Sequence, residues 1–354
     1  MLIFDAHLDV AMNALSLRRD YSLSVAEIRR REQDRGVTRA GGGRGTVSYP
    51  ALRAAQVGVM VATVIARVDR PGNPLPGYPN AAAAYGAAQG QLAYYRAEEA
   101  AGVLRLLTTR AALDAHLVEW ERDPDNCPFG VILSAEGADP IMTPEWTQQW
   151  WDDGLRAVGL SHYGLGNYAH GTSTPGGLTE MGRPLLRELE RLGMVLDLTH
   201  LADDAFWEAL DGFGGRVCAS HQNCRALVSG DRQFTDAQIQ AVIERDGVLG
   251  QAYDAWMLYD GWVKGETSPR VLTQEAVVDH MDHVCQLAGN SLHAAIGTDL
   301  DGGYGTEQTP GDLDTIADLQ RLPELLSRRG YGDEDIGNLM HGNWLRFYRE
   351  ALPA

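Results

Sequence analysis

Eight short apolar runs recur along the chain: LIFDA (2–6), VGVMVATVIA (57–66), FGVILSAEG (129–137), LRAVGLSH (155–162), GMVLDLTH (193–200), RVCASH (216–221), GVLGQAY (247–253) and HAAIGTD (293–299). They are rich in β-branched residues and bounded by Gly, Asp or Asn, as strands buried in a parallel sheet tend to be. Amphipathic stretches stand between them. LLRELERLG (185–193), DAQIQAVIERDG (236–247) and QEAVVDHMDHVCQLAG (274–289) set apolar residues at helical spacing with charges opposite. Residues 80–117 are Ala-rich and read as helical. Thr179 reads as the N-cap of the helix that Gly193 closes. Eight alternating units of this size predict a (β/α)8 TIM barrel, a single domain over residues 1–354. A doubly wound sheet is the alternative, weakened because no GxGxxG follows the first run. An Arg/Gly-rich insertion occupies residues 28–47; it lacks the GK[ST] ending of a phosphate loop.

Polar residues collect where these runs end. The first runs into Asp5, His7 and Asp9, which would point one way if the strand continued. Later runs end in Glu136, His162, His200, His221 and Asp299. Active sites of (β/α)8 enzymes lie at the C-terminal ends of the strands. A lone histidine after an apolar run is an ordinary structural residue, but seven polar residues at corresponding ends, His7, Asp9 and the five of the later runs, point to a metal site. The donors are nitrogen and oxygen, which suits Zn²⁺ and also Mn²⁺, Co²⁺ or Fe²⁺. They outnumber the three protein ligands a catalytic zinc ordinarily takes, so two metals are expected. A carbamylated-lysine bridge is disfavoured, because Lys264 is the only lysine and sits in a polar segment beyond the seventh run. Glu136 can bridge through its two oxygens. Cys224, three residues after His221, is a weaker candidate ligand. Asp279, His280 and His283 invite a second metal site but read better as a polar helix face.

Composition narrows the partners. The formal charge of −18 argues against nucleic acid and anionic membranes. The four cysteines, Cys127, Cys218, Cys224 and Cys285, form no CxxC pair and read as buried thiols in a reducing compartment. No signal peptide or membrane span is visible, so a cytoplasmic location is expected. A homodimer is compatible with the sequence.

The stretches FDAHLD, ILSAEGADPI, LRAVGLSHYGLGNYAHG, GLTEMGRPLLRELERLGMVLDLTHL, ASHQNCRAL, IGTDLDGG and NLMHGNWLRFY, in this order and spacing, resemble the membrane dipeptidase (renal dipeptidase, peptidase M19) family of the amidohydrolase superfamily. The resemblance covers essentially the whole chain. It implies a distorted (β/α)8 barrel with a binuclear zinc site: His7 and Asp9 on one ion, Glu136 bridging, His200 and His221 on the other. It further implies that Asp299 handles protons, that His162 contacts the substrate and the developing oxyanion, and that Arg232 holds the substrate carboxylate. The segment after the seventh run, GQAYDAWMLYDGWVKGE, and the 28–47 insertion depart from the family pattern and are expected at the substrate mouth.

The expected reaction is hydrolysis of short dipeptides, including L-Xaa-D-Xaa, by a hydroxide bridging the two ions. An amidohydrolase acting on N-acyl amino acids or a lactone is the alternative within the enzyme class. A non-catalytic metal-binding barrel is the alternative outside it.

Overall fold

A computed structural model describes all 354 residues. Nine strands form, at each of the eight expected places and at one more: β1 (Ile3–Leu8), β2 (Val57–Val64), β3 (Leu104–Leu106), β4 (Phe129–Ala135), β5 (Leu155–Gly159), β6 (Val195–Asp197), β7 (Val217–Cys218), β8 (Leu249–Gln251) and β9 (Ala294–Ile296). Every pairing is parallel. One sheet runs β1-β2-β4-β5-β6-β7, and β8 pairs β9. Ala219, just past β7, bridges Leu249 of β8. The Asp299 N–H donates to the His7 carbonyl at 3.2 Å, drawing the end of β9 back to β1. The sheet thus curls into a barrel of the (β/α)8 type. The unexpected β3 pairs with the start of β4 before β5 takes over at Leu133. It splits the Ala-rich region into two helices, Ala81–Ala100 and Arg110–Arg122.

The apolar runs account for the core in two parts. Phe4, Val61, Ile132, Ala157, Val195, Cys218, Val248 and Ala295 come from different strands or their entries and share one cluster. Trp344, Phe347 and Tyr348 of the C-terminal helix Asn343–Ala351 join it. The barrel interior is therefore packed with side chains, as such barrels require. A larger cluster unites other strand residues with the helices, including Leu185, Leu186 and Leu189 of helix Gly182–Leu192. These leucines are the predicted stripe.

Several local expectations need correction. Gly193 closes its helix in the left-handed conformation, as expected (φ 71°), but Met181 stands at the N-cap position. The Thr179 hydroxyl instead donates to the Asn167 carbonyl. His280 does not lie on a polar face: it is buried, and its Nδ1 accepts from the Cys224 N–H. His283 pairs with Asp236 at 2.8 Å. Neither is placed to form a second metal site with Asp279, whose carboxylate pairs with Arg329. All four cysteines are free and buried. The 28–47 insertion begins within the helix Val25–Asp34 and continues as a Gly-rich loop. Buried Arg19 clamps it, pairing with Glu32 and Asp301 at 2.7 Å each. Asp301 also accepts from the Thr46 and Val47 N–H groups. No helix is long and apolar enough to cross a membrane.

Candidate metal centre

β1 carries His7 to its end, and the chain then turns. Asp9 sits at the N-cap of helix Val10–Ser16 with φ −88° and ψ 49°, so the extended run stops before it. Asp9 still faces His7, its Oδ1 lying 3.9 Å from His7 Nε2. Asp5 does not join them. Its carboxylate accepts from the Thr298 N–H (2.9 Å) and hydroxyl (2.6 Å), tying β1 to the segment after β9. That carboxylate is a fastener of the barrel seam.

Glu136 follows β4 and forms the centre. Its Oε1 lies 3.5 Å from His7 Nε2, 3.5 Å from His162 Nε2, 3.2 Å from His200 Nε2 and 3.4 Å from His221 Nε2. Asp299 Oδ1 is 3.8 Å from His7 Nε2. The seven residues expected at the strand ends therefore meet in one place. His200 (φ 68°) and Asp299 (φ 57°) hold left-handed backbone, which non-glycine residues seldom adopt and which accompanies functional sites.

Hydrogen bonds on the far side of three rings fix where their protons lie. The Ser220 hydroxyl donates to Asp197 Oδ2 at 2.5 Å. Its lone pairs are then left to accept from Nδ1–H of His221 (2.9 Å) and His7 (3.3 Å). The Thr172 hydroxyl donates to the His200 carbonyl (3.3 Å) and accepts from His200 Nδ1–H (3.0 Å). All three rings thus aim unprotonated Nε2 atoms inward in their neutral forms. His200 Nε2 and His221 Nε2 face each other across 3.0 Å, and buried His7 Nε2 has no hydrogen-bond partner. Converging lone pairs beside three carboxylates call for a cation. Three overlapping donor sets, His7/Asp9/Glu136, Glu136/His162/His200 and His7/His221/Asp299, each lie within 4.8 Å. The residues fit divalent ions that favour nitrogen and oxygen donors.

The electrostatics agree. Burial pushes His200 and His221 well below the usual histidine range. Burial acts the same way on His7, but Glu136 and Asp9 override it and lift His7 to about 10, which marks how strongly this spot favours positive charge. Burial alone would raise Glu136; the surrounding imidazoles, His162 and His7 foremost, hold it well below the usual carboxylate range. Asp299 is pushed well above that range, first by burial and then by Glu136 and Asp9 despite nearby His7.

The centre opens into a cavity of about 590 Å³. Arg232 lines it, 2% exposed, with Nη1 donating to Gln222 Oε1 (2.7 Å) and Nη2 to the His221 carbonyl (2.8 Å). Arg39 from the insertion and Trp256, Trp262 and Lys264 from the segment after β8 also line the cavity, where the two departures from the family pattern were expected. Cys224 is engaged elsewhere, its Sγ 3.6 Å from the His280 carbonyl. Sequence reasoning missed Ser220, Asp197, Thr172 and Arg67. Ser220 and Asp197 sit inside the motifs CASH and LDLTH and carry a weak signal there; Thr172 and Arg67 carry none.

A family model described as membrane dipeptidase (peptidase family M19) matches residues 1–353. An uncharacterized protein from the pqqA 5′ region of Klebsiella pneumoniae is 30% identical over 261 residues, which is 71% of this chain and 90% of that protein. The chain spans about half of two fungal dipeptidase relatives, 52% and 45% of their lengths. A solved M19 metallopeptidase, dipeptidase AC, aligns over 100% of this chain and 99% of its own, with TM-score 0.81 and 23% identity. A metallopeptidase of Rhodobacter sphaeroides, liganded with a phosphinate mimic of the dipeptide L-Ala-D-Ala, aligns over 99% of each chain with TM-score 0.79 and 23% identity. These two likenesses establish the fold.

Proposed function

We propose a two-ion hydrolysis of dipeptides from one premise: the chain belongs to the membrane dipeptidase family, peptidase family M19. It is a metal-dependent dipeptidase. His7 and Asp9 would hold one ion, His200 and His221 the other, and Glu136 would bridge them. When bound, such ions acidify a water and polarise the scissile carbonyl; zinc is the ion this donor set suits best.

The remaining work falls to the chain's own groups. Arg232 is held by Gln222 and the His221 carbonyl, and its remaining N–H groups can take the substrate carboxylate. That anchor, close beside the ligands, favours substrates whose free carboxylate lies one residue beyond the cut. His162 Nε2 faces the centre and can donate to the oxyanion that forms on the carbonyl. Asp299, which burial holds well above the usual carboxylate range, takes the proton from the attacking water and returns it to the leaving amine. The L-Ala-D-Ala mimic held by the Rhodobacter sphaeroides neighbour supports including L-Xaa-D-Xaa dipeptides among the substrates.

The observation that carries this reading is four histidine nitrogens around one Glu136 oxygen at 3.2–3.5 Å, in a cavity that Arg232 lines. The test is hydrolysis of L-L, L-D and D-D dipeptides beside N-acyl amino acids by zinc-loaded protein, with elemental analysis. Two zinc ions per chain and turnover confined to dipeptides are expected. Turnover of N-acyl amino acids alone, or less than one ion per chain, would overturn it.

A further inference from the structure

Of the four histidines around Glu136, His162 is wired differently. The other three turn Nδ1 toward oxygen atoms that accept. His162 turns Nδ1 toward Arg67 Nη1, at 2.5 Å. A guanidinium has five N–H donors, no acceptor, and does not lose its proton. Arg67 must donate, so His162 Nδ1 must carry a lone pair. The proton of the neutral ring then stands on Nε2, on the side facing Glu136.

Arg67 is itself fixed. It follows β2, and its Nε donates to the Pro76 carbonyl at 3.1 Å. Its neighbour Val68 donates its N–H to Asp139 Oδ2 (2.7 Å), and Asp139 Oδ1 accepts from the Asn167 N–H (2.6 Å) beyond β5. The loop that carries Arg67 is therefore stitched to the loops after β4 and β5.

We propose that Arg67 is a positioning residue: it locks His162 as an Nε2–H donor and so withholds that ring from the metal ions. The proposal rests on the two-ion dipeptidase reading and resolves an ambiguity within it. Distance alone groups His162 with Glu136 and His200 as a possible ligand set. A protonated Nε2 has no lone pair for a cation, whereas it can donate to an oxyanion. One arginine thus divides four similar histidines into three ligands and one donor.

The test is ¹⁵N-histidine NMR of the zinc-loaded protein, wild type against R67M and R67K, with the His162 ring assigned by its loss in H162N. Kinetics on a dipeptide accompany it. In wild type, His162 is expected to show an unprotonated Nδ1 and a protonated Nε2. R67M should move the ring toward Nδ1–H. Its kcat should fall about tenfold to a hundredfold with KM little changed, as for a donor used at the transition state. R67K, which keeps a cationic donor, should recover part of both. A wild-type ring protonated on Nδ1, an R67M ring like wild type, or a loss confined to KM would each overturn the proposal. If R67M does not fold, the wild-type spectrum alone decides. Failure of the dipeptidase reading would look different: no dipeptide turnover by wild type, whatever the tautomer.

Discussion

Replacing Ser220 by alanine isolates the wiring behind the metal ligands. Its hydroxyl is 2.9 Å from His221 Nδ1, 3.3 Å from His7 Nδ1 and 2.5 Å from Asp197 Oδ2, and Ser220 is 2% exposed. S220A removes the acceptor that fixes the tautomer of two rings, one assigned to each ion. Losing an outer partner of a ligating histidine typically weakens metal binding about 10- to 100-fold, or about 1.4–2.7 kcal/mol per ion. The metal-free protein should also lose stability. Asp197 Oδ2 forfeits its buried donor, at a cost of about 1–3 kcal/mol, although Asp197 Oδ1 keeps the N–H groups of Thr199 and Ser220. Thr172→Val is the matched control, since Thr172 serves His200 alone. Competition titration with a chromophoric zinc chelator should show both ions weakened in S220A and one in T172V. Urea unfolding in the presence of a chelator reads the stability term. Two zinc ions bound at wild-type affinity by S220A would refute the tautomer argument. So would a loss limited to the ion that T172V affects.

Asp299→Asn should retain its zinc and lose more than about a hundredfold in kcat; unchanged turnover would remove Asp299 from the proton path. Arg232→Ala should raise KM for a dipeptide about tenfold to a hundredfold, because a charge-assisted pair is lost. The control is the same dipeptide as its C-terminal amide, which should suffer less; equal losses would mean that Arg232 acts only through Gln222 and His221. Arg19→Met leaves Glu32 and Asp301 buried without their cation. It should cost about 3–5 kcal/mol in urea unfolding, and an unchanged midpoint would show that the insertion is not clamped by this pair.

The places of the eight strands and most of the centre were legible in the chain because each signal is local. A short apolar run declares a buried strand, and its final residue declares what stands at the barrel rim. His7, Glu136, His162, His200, His221 and Asp299 could be picked out this way without knowing which strands pair. β3 was not legible: Leu104–Leu106 is too short to stand out within an Ala-rich region. Asp9 comes beside His7 by a route the alternation did not foresee, since a turn and not an extended strand places it there. His280 misled because helical spacing gives the face of a residue but not what packs against that face.

The sequence by itself determined the donor types and the strand ends they occupy, because composition and period are properties of neighbouring residues. Tertiary structure alone decided the proton positions. Ser220 lies 213 residues from His7, and Arg67 lies 95 residues from His162. Each tautomer is set by whichever group meets the far side of the ring. No local pattern encodes that meeting; it exists only once the barrel has closed.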